Sequence, residues 1–216
     1  GLPYDPKKDL QPVLIYGEQA LVLVINPKVP AGNAQEFLQL ARGKPGALTF
    51  AGSDPSTILV TDMLRKGMQT DIVTVPYKGA GQALIDVIGG QITGVLTSFG
   101  STNSHIKSGT VRAIAVTTTT RSPLAPDIPT LSETIAPGFD FASWYVLLAQ
   151  GQTPREIMLA LNRELVAALQ APEVKEQFMT LGLSVLPDPL DRTRARLSRE
   201  FTKWEAVARA AGMAAQ

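Results

Sequence analysis

The sequence contains no cysteine, and this absence excludes several kinds of site at once. Without thiols a chain has no disulfide framework, no thiolate nucleophile and no cysteine-based zinc site. Histidine is almost as scarce, because His105 stands alone and no other typical metal ligand lies near it in the sequence. We therefore predict no metal site and no cofactor.

An excess of charge of one sign is also missing, since 20 Lys and Arg residues face 19 Asp and Glu residues. A nucleic-acid surface needs clustered basic residues. The densest basic group here, 192–199, lies in a stretch with the periodicity of an amphipathic helix, which favours a solvated face. We predict that the chain does not bind nucleic acid. No apolar run approaches the roughly 18 residues that span a bilayer, and no signal-peptide pattern is present.

Catalytic motifs are absent as well. The sequence has no G-x-S-x-G, no G-x-G-x-x-G and no Walker loop, and its acidic residues are spread along predicted helices. Ser104 to Lys107 matches the S-x-x-K pattern of penicillin-binding proteins, but no S-D-N or K-T-G follows. A four-letter match arises easily by chance. We predict that the protein is not an enzyme, and a hydrolase using Ser104 and Lys107 is the weaker alternative.

What the sequence does contain is an alternation of strand and helix patterns. Short apolar or β-branched runs alternate with helical periods that begin at capping residues and end at glycine or proline. Repeated strand–helix units predict an α/β fold with a mostly parallel sheet. Strands are predicted at 20–25, 48–51, 72–75, 92–96, 111–117 and 144–149, and helices at 33–43, 55–66, 81–88, 102–107, 154–169, 172–181 and 190–211.

Three segments that follow strands of this predicted sheet are rich in small and hydroxyl-bearing residues. In parallel α/β sheets, ligands bind beyond the carboxyl ends of the strands, where helix N-termini favour anions. We therefore predict an anion pocket, although the first segment is equally well explained as a plain N-cap made by Asp54 or Ser53. The candidate residues are Gly52, Ser53, Asp54, Ser56, Thr57, Tyr77, Gly79, Ala80, Gly81, Thr97 and Ser98.

Several segments, in order along nearly the whole chain, resemble those of one known family. Residues 75–79 resemble its VPYKG segment, and 89–92 resemble its GGQV. Residues 105–109 followed by 111–117 are similar to its HIKSG and LRALAVT. Residues 2–6, 9–13, 121–123, 126–130 and 143–145 fit the flanking family segments. The family that these segments resemble is the Bug-type periplasmic receptors of tripartite tricarboxylate transporters.

This resemblance implies a two-lobe fold of the periplasmic-binding-protein type that closes on a small organic acid, one loop from each lobe holding a carboxylate. The second-lobe loop corresponds to Gly52 to Thr57. It implies as partners a small carboxylate ligand and the membrane permease subunits, and it implies a periplasmic location. On this basis residues 20–138 form the second, ligand-binding lobe, while 1–19 (a remnant and crossover) and 139–216 belong to the first lobe.

The sequence departs from the family pattern in three ways. The first-lobe loop, roughly F-x-P-G-G-x-x-D, does not occur, so we expect a complete second lobe, a partial first lobe and the absence of the N-terminal third. The incomplete lobe would expose apolar surface and favour self-association. The histidine usual in the second-lobe loop is missing from 55–59. An acid common in the family is replaced by Thr97, which argues against a cationic or amino-acid ligand.

A ligand-sensing or protein-interaction module on the same fold stays open as an alternative.

Overall fold

The computed structural model describes residues 3–210 and 212, which fall into two compact units. Unit 2 is the continuous segment Ala20–Ala142. Unit 1 combines the described residues up to Gln19 with those from Ser143 onward. Strand β1 (Leu10–Ile25) is long enough to contribute its first ten residues to unit 1 and its last six to unit 2.

Unit 2 is built on a sheet of five strands in the order β3-β2-β4-β1-β5. Strand β2 pairs in parallel with β3 and β4, whereas β1 is antiparallel to both β4 and β5. Four of the five strands therefore point the same way and β1 runs against them. The strands after β1 are β2 (Thr49–Gly52), β3 (Val73–Pro76), β4 (Gly94–Ser98) and β5 (Arg112–Val116).

Four of the five helices described in unit 2 begin after a residue whose side chain caps the first turn. Helix α1 starts after Asn33, whose side chain accepts a hydrogen bond from the Glu36 amide. Helix α3 ends at Gly90, which adopts φ +78°, a left-handed conformation that glycine tolerates best. The helices are α1 (Ala34–Gly43), α2 (Pro55–Met68), α3 (Ala80–Gly89), α4 (Phe99–Lys107) and α5 (Leu131–Thr134).

The core of unit 2 lies between the sheet and its helices. Apolar side chains of β1, β4 and β5, among them Val22, Val95 and Val116, are fully buried against Ala83 and Val87 of α3. The rings of Phe37 and Phe50 stack at 5.7 Å between centroids elsewhere in the same unit. Burial of each such side chain contributes about 1.5–3 kcal/mol before the entropy of ordering is subtracted.

Unit 1 has a smaller core in which Val13, Met158 and Leu190 are buried together. Strand β1 pairs with β7 through Gly17 and Glu18, and it also pairs with β6. Asn162 of α6 links β1 to the segment before α8, because its side-chain amide donates to the carbonyl oxygens of Val13 (2.9 Å) and Asp188 (3.2 Å). The elements are β6 (Ala142–Gln150), α6 (Arg155–Gln170), α7 (Pro172–Thr180), β7 (Ser184–Val185) and α8 (Leu190–Ala210). None of the described helices is both long and apolar enough to cross a membrane.

Three features differ from the sequence prediction. The strand predicted at 20–25 begins ten residues earlier, at Leu10, because Pro12 and Gly17 mask the strand pattern there. It also runs antiparallel to its neighbours, which an unbroken apolar run cannot reveal. The helical spacing of Leu197, Phe201, Trp204 and Ala208 predicts that they pack in a core, but in α8 only Leu197 is buried and the other three are half-buried.

Candidate functional site

The three predicted loops leave the same edge of the sheet of unit 2. They follow β2, β3 and β4, which are neighbours in the order β3-β2-β4 and point in one direction. Gly52 and Pro76, the last residues of β2 and β3, are paired directly. We call this region, formed by residues 52–57, 76–81 and 97–101, the β2–β3–β4 edge. It brings the predicted candidates to one side of one sheet, and their role in binding stays a prediction.

At the first loop, Asp54 caps helix α2. Its carboxylate accepts hydrogen bonds from the amides of Ser56 (2.9 Å) and Thr57 (3.0 Å). The Thr57 hydroxyl oxygen in turn accepts from the amides of Ser53 (3.0 Å) and Asp54 (3.1 Å). The plain N-cap alternative is therefore realised in the structure. The N-terminus of α2 is therefore already bound to a carboxylate of the chain, that of Asp54.

The Asp54 carboxylate is stabilised in its charged form. Partial burial raises the pKa of this group, but hydrogen bonds from the side chains and amides of Ser56 and Thr57 outweigh burial and hold the pKa below the ordinary 3.8. Asp54 is exposed and charged at neutral pH. A ligand carboxylate at the α2 terminus would meet this negative charge and would have to compete for the same amides.

Gly52 permits the close packing of β2 against α2. A Cβ atom at this position would lie 2.5 Å from Cγ1 of Ile58 and 3.0 Å from Cγ2 of Thr74. Both contacts are shorter than carbon atoms tolerate without a shift of the neighbours. The glycine therefore lets the first turn of α2 approach the sheet, and its carbonyl oxygen accepts from the Tyr77 amide at 2.9 Å.

Helix α3 differs from α2, because no side chain caps its N-terminus. Its N-cap is Gly79, whose carbonyl oxygen accepts a long hydrogen bond, 3.4 Å, from the Ala83 amide. In the described part of the chain, the amides of Ala80, Gly81 and Gln82 in the first turn donate to no acceptor, as expected for an uncapped terminus. Open amides and the positive end of the helix dipole favour an anion at this terminus more than at the capped terminus of α2.

Tyr77 is anchored to α3 rather than free. Its hydroxyl donates to Oδ2 of Asp86 at 2.7 Å. This hydrogen bond, partial burial and the adjacent negative charge raise the pKa of Tyr77 above 10.0, so the hydroxyl keeps its proton at neutral pH. The ring packs against the core of unit 2. Tyr77 therefore positions the loop before α3, and its hydroxyl is already engaged.

The third loop presents hydroxyl groups that bond mainly to one another. The Ser101 hydroxyl lies 3.1 Å from the hydroxyls of both Thr97 and Ser98. Ser98 is the N-cap of α4 and accepts a long bond, 3.4 Å, from the Ser101 amide. Thr97 is buried and Ser98 is half-buried. These groups can reorient, because hydroxyl hydrogens rotate to suit a partner.

A cavity of about 440 Å³ lies elsewhere, in unit 1, and none of the predicted site residues line it. It was not predicted from the sequence, because its walls come from positions far apart along the chain. Within residues 3–210 and 212, no group of His, Asp and Glu side chains is placed to hold a metal ion.

Comparison with known proteins relates the whole chain to one family. The sequence profile of the "Tripartite tricarboxylate transporter family receptor" matches residues 1–213. The protein BugT of Bordetella pertussis is 32% identical over 98% of this chain and 66% of BugT. The solved structure "R. palustris Rpa4515 with adipate" superposes with a TM-score of 0.87 at 27% identity, covering 98% of this chain and 72% of that chain.

A second solved structure, MatC from Rhodopseudomonas palustris with bound malate, has a TM-score of 0.78 at 27% identity and covers 95% of this chain and 72% of that one. These likenesses confirm the predicted α/β fold of the periplasmic-binding-protein type. The chain spans 66% of the length of BugT. The family predicted from the sequence motifs is confirmed: this chain belongs to the tripartite tricarboxylate transporter family of receptors.

Proposed function

We propose that this chain serves as the ligand-binding part of a periplasmic receptor that takes up a small organic carboxylate and delivers it to the membrane permease subunits of a tripartite tricarboxylate transporter. The receptor would bind and release its ligand unchanged, without acting as an enzyme. Family membership supports this role. Adipate and malate, the acids named for two related structures, are both small dicarboxylates and support the ligand class.

The observation that carries the proposal is the uncapped N-terminus of α3 at the β2–β3–β4 edge. We place one ligand carboxylate against the amides of Ala80 and Gly81, where Gly79 leaves room. A Cβ atom at Gly79 or Gly81 would have nothing within 4 Å, so the approach is open. Carboxylate oxygens accept such amide hydrogen bonds strongly, because the bonds are charge-assisted.

The other candidate residues have supporting roles in this proposal. The hydroxyls of Thr97 and Ser98 would turn toward the ligand. Gly52, Ser53, Ser56 and Thr57 would form the opposite wall, held by the Asp54 cap, and Tyr77 would position the loop before α3. In this assignment unit 2 is the ligand-binding lobe.

Thermal unfolding of the protein with a panel of acids tests this function. The panel holds adipate, malate, citrate, aspartate and an aromatic acid, with the amide of adipate as the neutral control. At about 100 times its dissociation constant, a ligand stabilises by about 2.7 kcal/mol. For a chain of this size the melting temperature would rise by roughly 5 to 10 °C.

We expect at least one acid to give this shift and the neutral amide to give none. A shift with aspartate alone would move the assignment to amino acids. The absence of a shift with every acid would contradict binding by this chain.

A further inference from the structure

Tyr77 and Asp86 form a side-chain link between the loop before α3 and the second turn of that helix. The Tyr77 hydroxyl donates to Oδ2 of Asp86 at 2.7 Å, and the Tyr77 ring packs against the core of unit 2. Asp86 is the seventh residue of α3, so it lies about 9 Å along the helix from the first residue, at a rise of about 1.5 Å per residue. This hydrogen bond, the Tyr77–Asp86 link, therefore runs along the side of the helix and does not cap its end.

The backbone of Tyr77 is held separately by the sheet. Its amide donates to the carbonyl oxygen of Gly52 at 2.9 Å, which continues the pairing of β3 with β2. Gly79 then has an extended backbone, with φ 179° and ψ 156°, and α3 begins only at the next residue. Two contacts of Tyr77, one from its backbone and one from its side chain, thus hold residues 77–79 outside the helix.

The alternative conformation of this loop is a longer helix. If residues 77–79 continued α3, the amides of 80–82 would donate to the carbonyl oxygens of 76–78, four residues earlier. The first-turn amides would then be satisfied by the chain itself, as Asp54 satisfies those of α2. Pro76 would be no obstacle, because it would serve only as an acceptor before the first turn. An extended loop is therefore the condition for open amides at this terminus.

The opposite end of α3 is anchored to the sheet. The buried side chain of Asn26, the residue after β1, donates to the carbonyl oxygens of Val87 (2.6 Å) and Ile88 (3.0 Å). With its C-terminal end fixed in this way, α3 can change most readily at the loop that precedes it. The Tyr77–Asp86 link acts on that loop.

We propose that Asp86 is a positioning residue for the β2–β3–β4 edge: through Tyr77 it holds residues 77–79 extended and so keeps the α3 amides open to a carboxylate. This role rests on the proposed function, because the amides concerned are the same, but Asp86 itself does not touch the ligand. The apparent affinity for an acid falls in proportion to the fraction of molecules in which the loop is extended.

NMR of the protein without any acid tests the link separately from binding. In Tyr77→Phe and in Asp86→Ala, we expect the amides of residues 80–82 to exchange with solvent more slowly than in the unmodified protein. The Cα chemical shifts of residues 78 and 79 should move toward helical values. Asp86→Asn keeps an acceptor for the Tyr77 hydroxyl and should resemble the unmodified protein in both measurements.

Calorimetric titration tests the consequence for binding, with whichever of adipate, malate, citrate, aspartate and the aromatic acid gives the largest thermal shift. Tyr77→Phe and Asp86→Ala should each weaken binding about fivefold to tenfold. The double variant should be no weaker than either single variant, because the same link is removed only once. Asp86→Asn should bind within about threefold of the unmodified protein, since it restores the hydrogen bond.

The charge of Asp86 cannot explain such a loss. Removing a negative charge near an anion site would by itself strengthen binding, so weaker binding has the opposite sign. Asp62→Ala is the matched control, because it removes the same charge from the second turn of α2, where Asp62 pairs with Arg65 and Lys66 of its own helix. Its affinity for the acid should stay within about twofold of the unmodified protein.

Unchanged amide exchange and Cα shifts in both Tyr77→Phe and Asp86→Ala would overturn the proposal, and the proposed function would still stand if the acid bound. Additive losses of affinity in the double variant would also overturn it, because the two residues would then act separately. If no acid of the panel bound the unmodified protein, the proposed function would fail, and the role of Asp86 in binding would fail with it.

Discussion

At the scale of single residues, the Asp54 side chain accounts for the difference between the N-termini of α2 and α3. Its carboxylate satisfies the amides at the start of α2, whereas Gly79 leaves those of α3 open. In the sequence, the first segment is rich in hydroxyl groups and the second in glycine, and both predict an anion pocket equally well. Whether the amides of a terminus are capped or open depends here on the orientation of the Asp54 carboxylate. The spacing of residues in the sequence does not determine that orientation.

The Asp54 cap predicts a specific dependence of stability on pH. Because the pKa of the folded carboxyl is below the ordinary 3.8, its contribution is present above pH 3.8 and is lost as the pH falls through the lowered value. Asp54→Asn keeps a capping acceptor without the charge, so we expect a loss of up to about 1 kcal/mol at neutral pH that shrinks in acid. Urea unfolding over a pH series measures this difference.

Asp127→Asn is the control for that series, since the Asp127 side chain is exposed and makes no hydrogen bond within the described residues. Its stability should differ little from that of the unmodified protein at any pH. An Asp54→Asn variant whose deficit stays constant from neutral to acid pH would show that the charge of the cap contributes nothing.

At the scale of elements, two fully buried threonines contrast in their hydrogen bonding. Thr117, which follows β5, accepts from the Leu21 amide at 2.9 Å through its hydroxyl oxygen. Thr193 on α8 is equally buried, but its hydroxyl has no partner among the described residues. Valine has nearly the same shape, so the substitution isolates the hydroxyl group.

We expect Thr117→Val to lower the free energy of unfolding by about 1 to 3 kcal/mol, because the buried Leu21 amide loses its acceptor. Thr193→Val should be neutral or stabilising by up to about 1 kcal/mol, because it removes a buried polar group that has no partner. Denaturant unfolding of both variants checks the difference. Equal losses would contradict the assigned hydrogen bonding.

The strands and helices show most clearly where prediction from the sequence succeeded and where it failed. The strands and helices from Ala20 to Val116 follow from apolar runs, N-cap residues and glycine stops, and the structure contains them within a few residues. The first half of β1 was missed, since Pro12 and Gly17 are uncommon in strands. The reversed direction of β1 depends on pairing partners distant in sequence, which local patterns do not encode.

At the scale of the whole molecule, the two units differ in continuity. Unit 2 is one uninterrupted segment with a five-stranded sheet and its own core, whereas unit 1 is assembled from both ends of the chain. The β2–β3–β4 edge and the cavity of about 440 Å³ follow the same division. The residues of the edge all belong to unit 2, and the residues lining the cavity all belong to unit 1.

This division predicts that residues 20–142 fold on their own. The fragment should unfold cooperatively in urea with the circular dichroism of an α/β protein, because its sheet and core are complete within the segment. It should also keep the response to the acid that stabilises the whole chain. A gradual, non-cooperative transition would show that unit 2 needs residues outside this range.

The central claim is that the amides at the start of α3 hold the ligand carboxylate, and calorimetric titration of a Gly79→Asp variant tests it most directly. Position 79 has an extended backbone and open space around a Cβ atom, and aspartate is a favourable N-cap, so the variant should fold. Gly79→Ala is the control, because alanine adds a side chain with no acceptor.

With the acid that gives the largest thermal shift, we expect Gly79→Asp to weaken binding by about a hundredfold or more, since its carboxylate would cap the same amides and repel the ligand. Gly79→Ala should bind within a few-fold of the unmodified protein. If Gly79→Asp bound the acid as tightly as the unmodified protein does, the carboxylate would not lie at this terminus and the account would be contradicted.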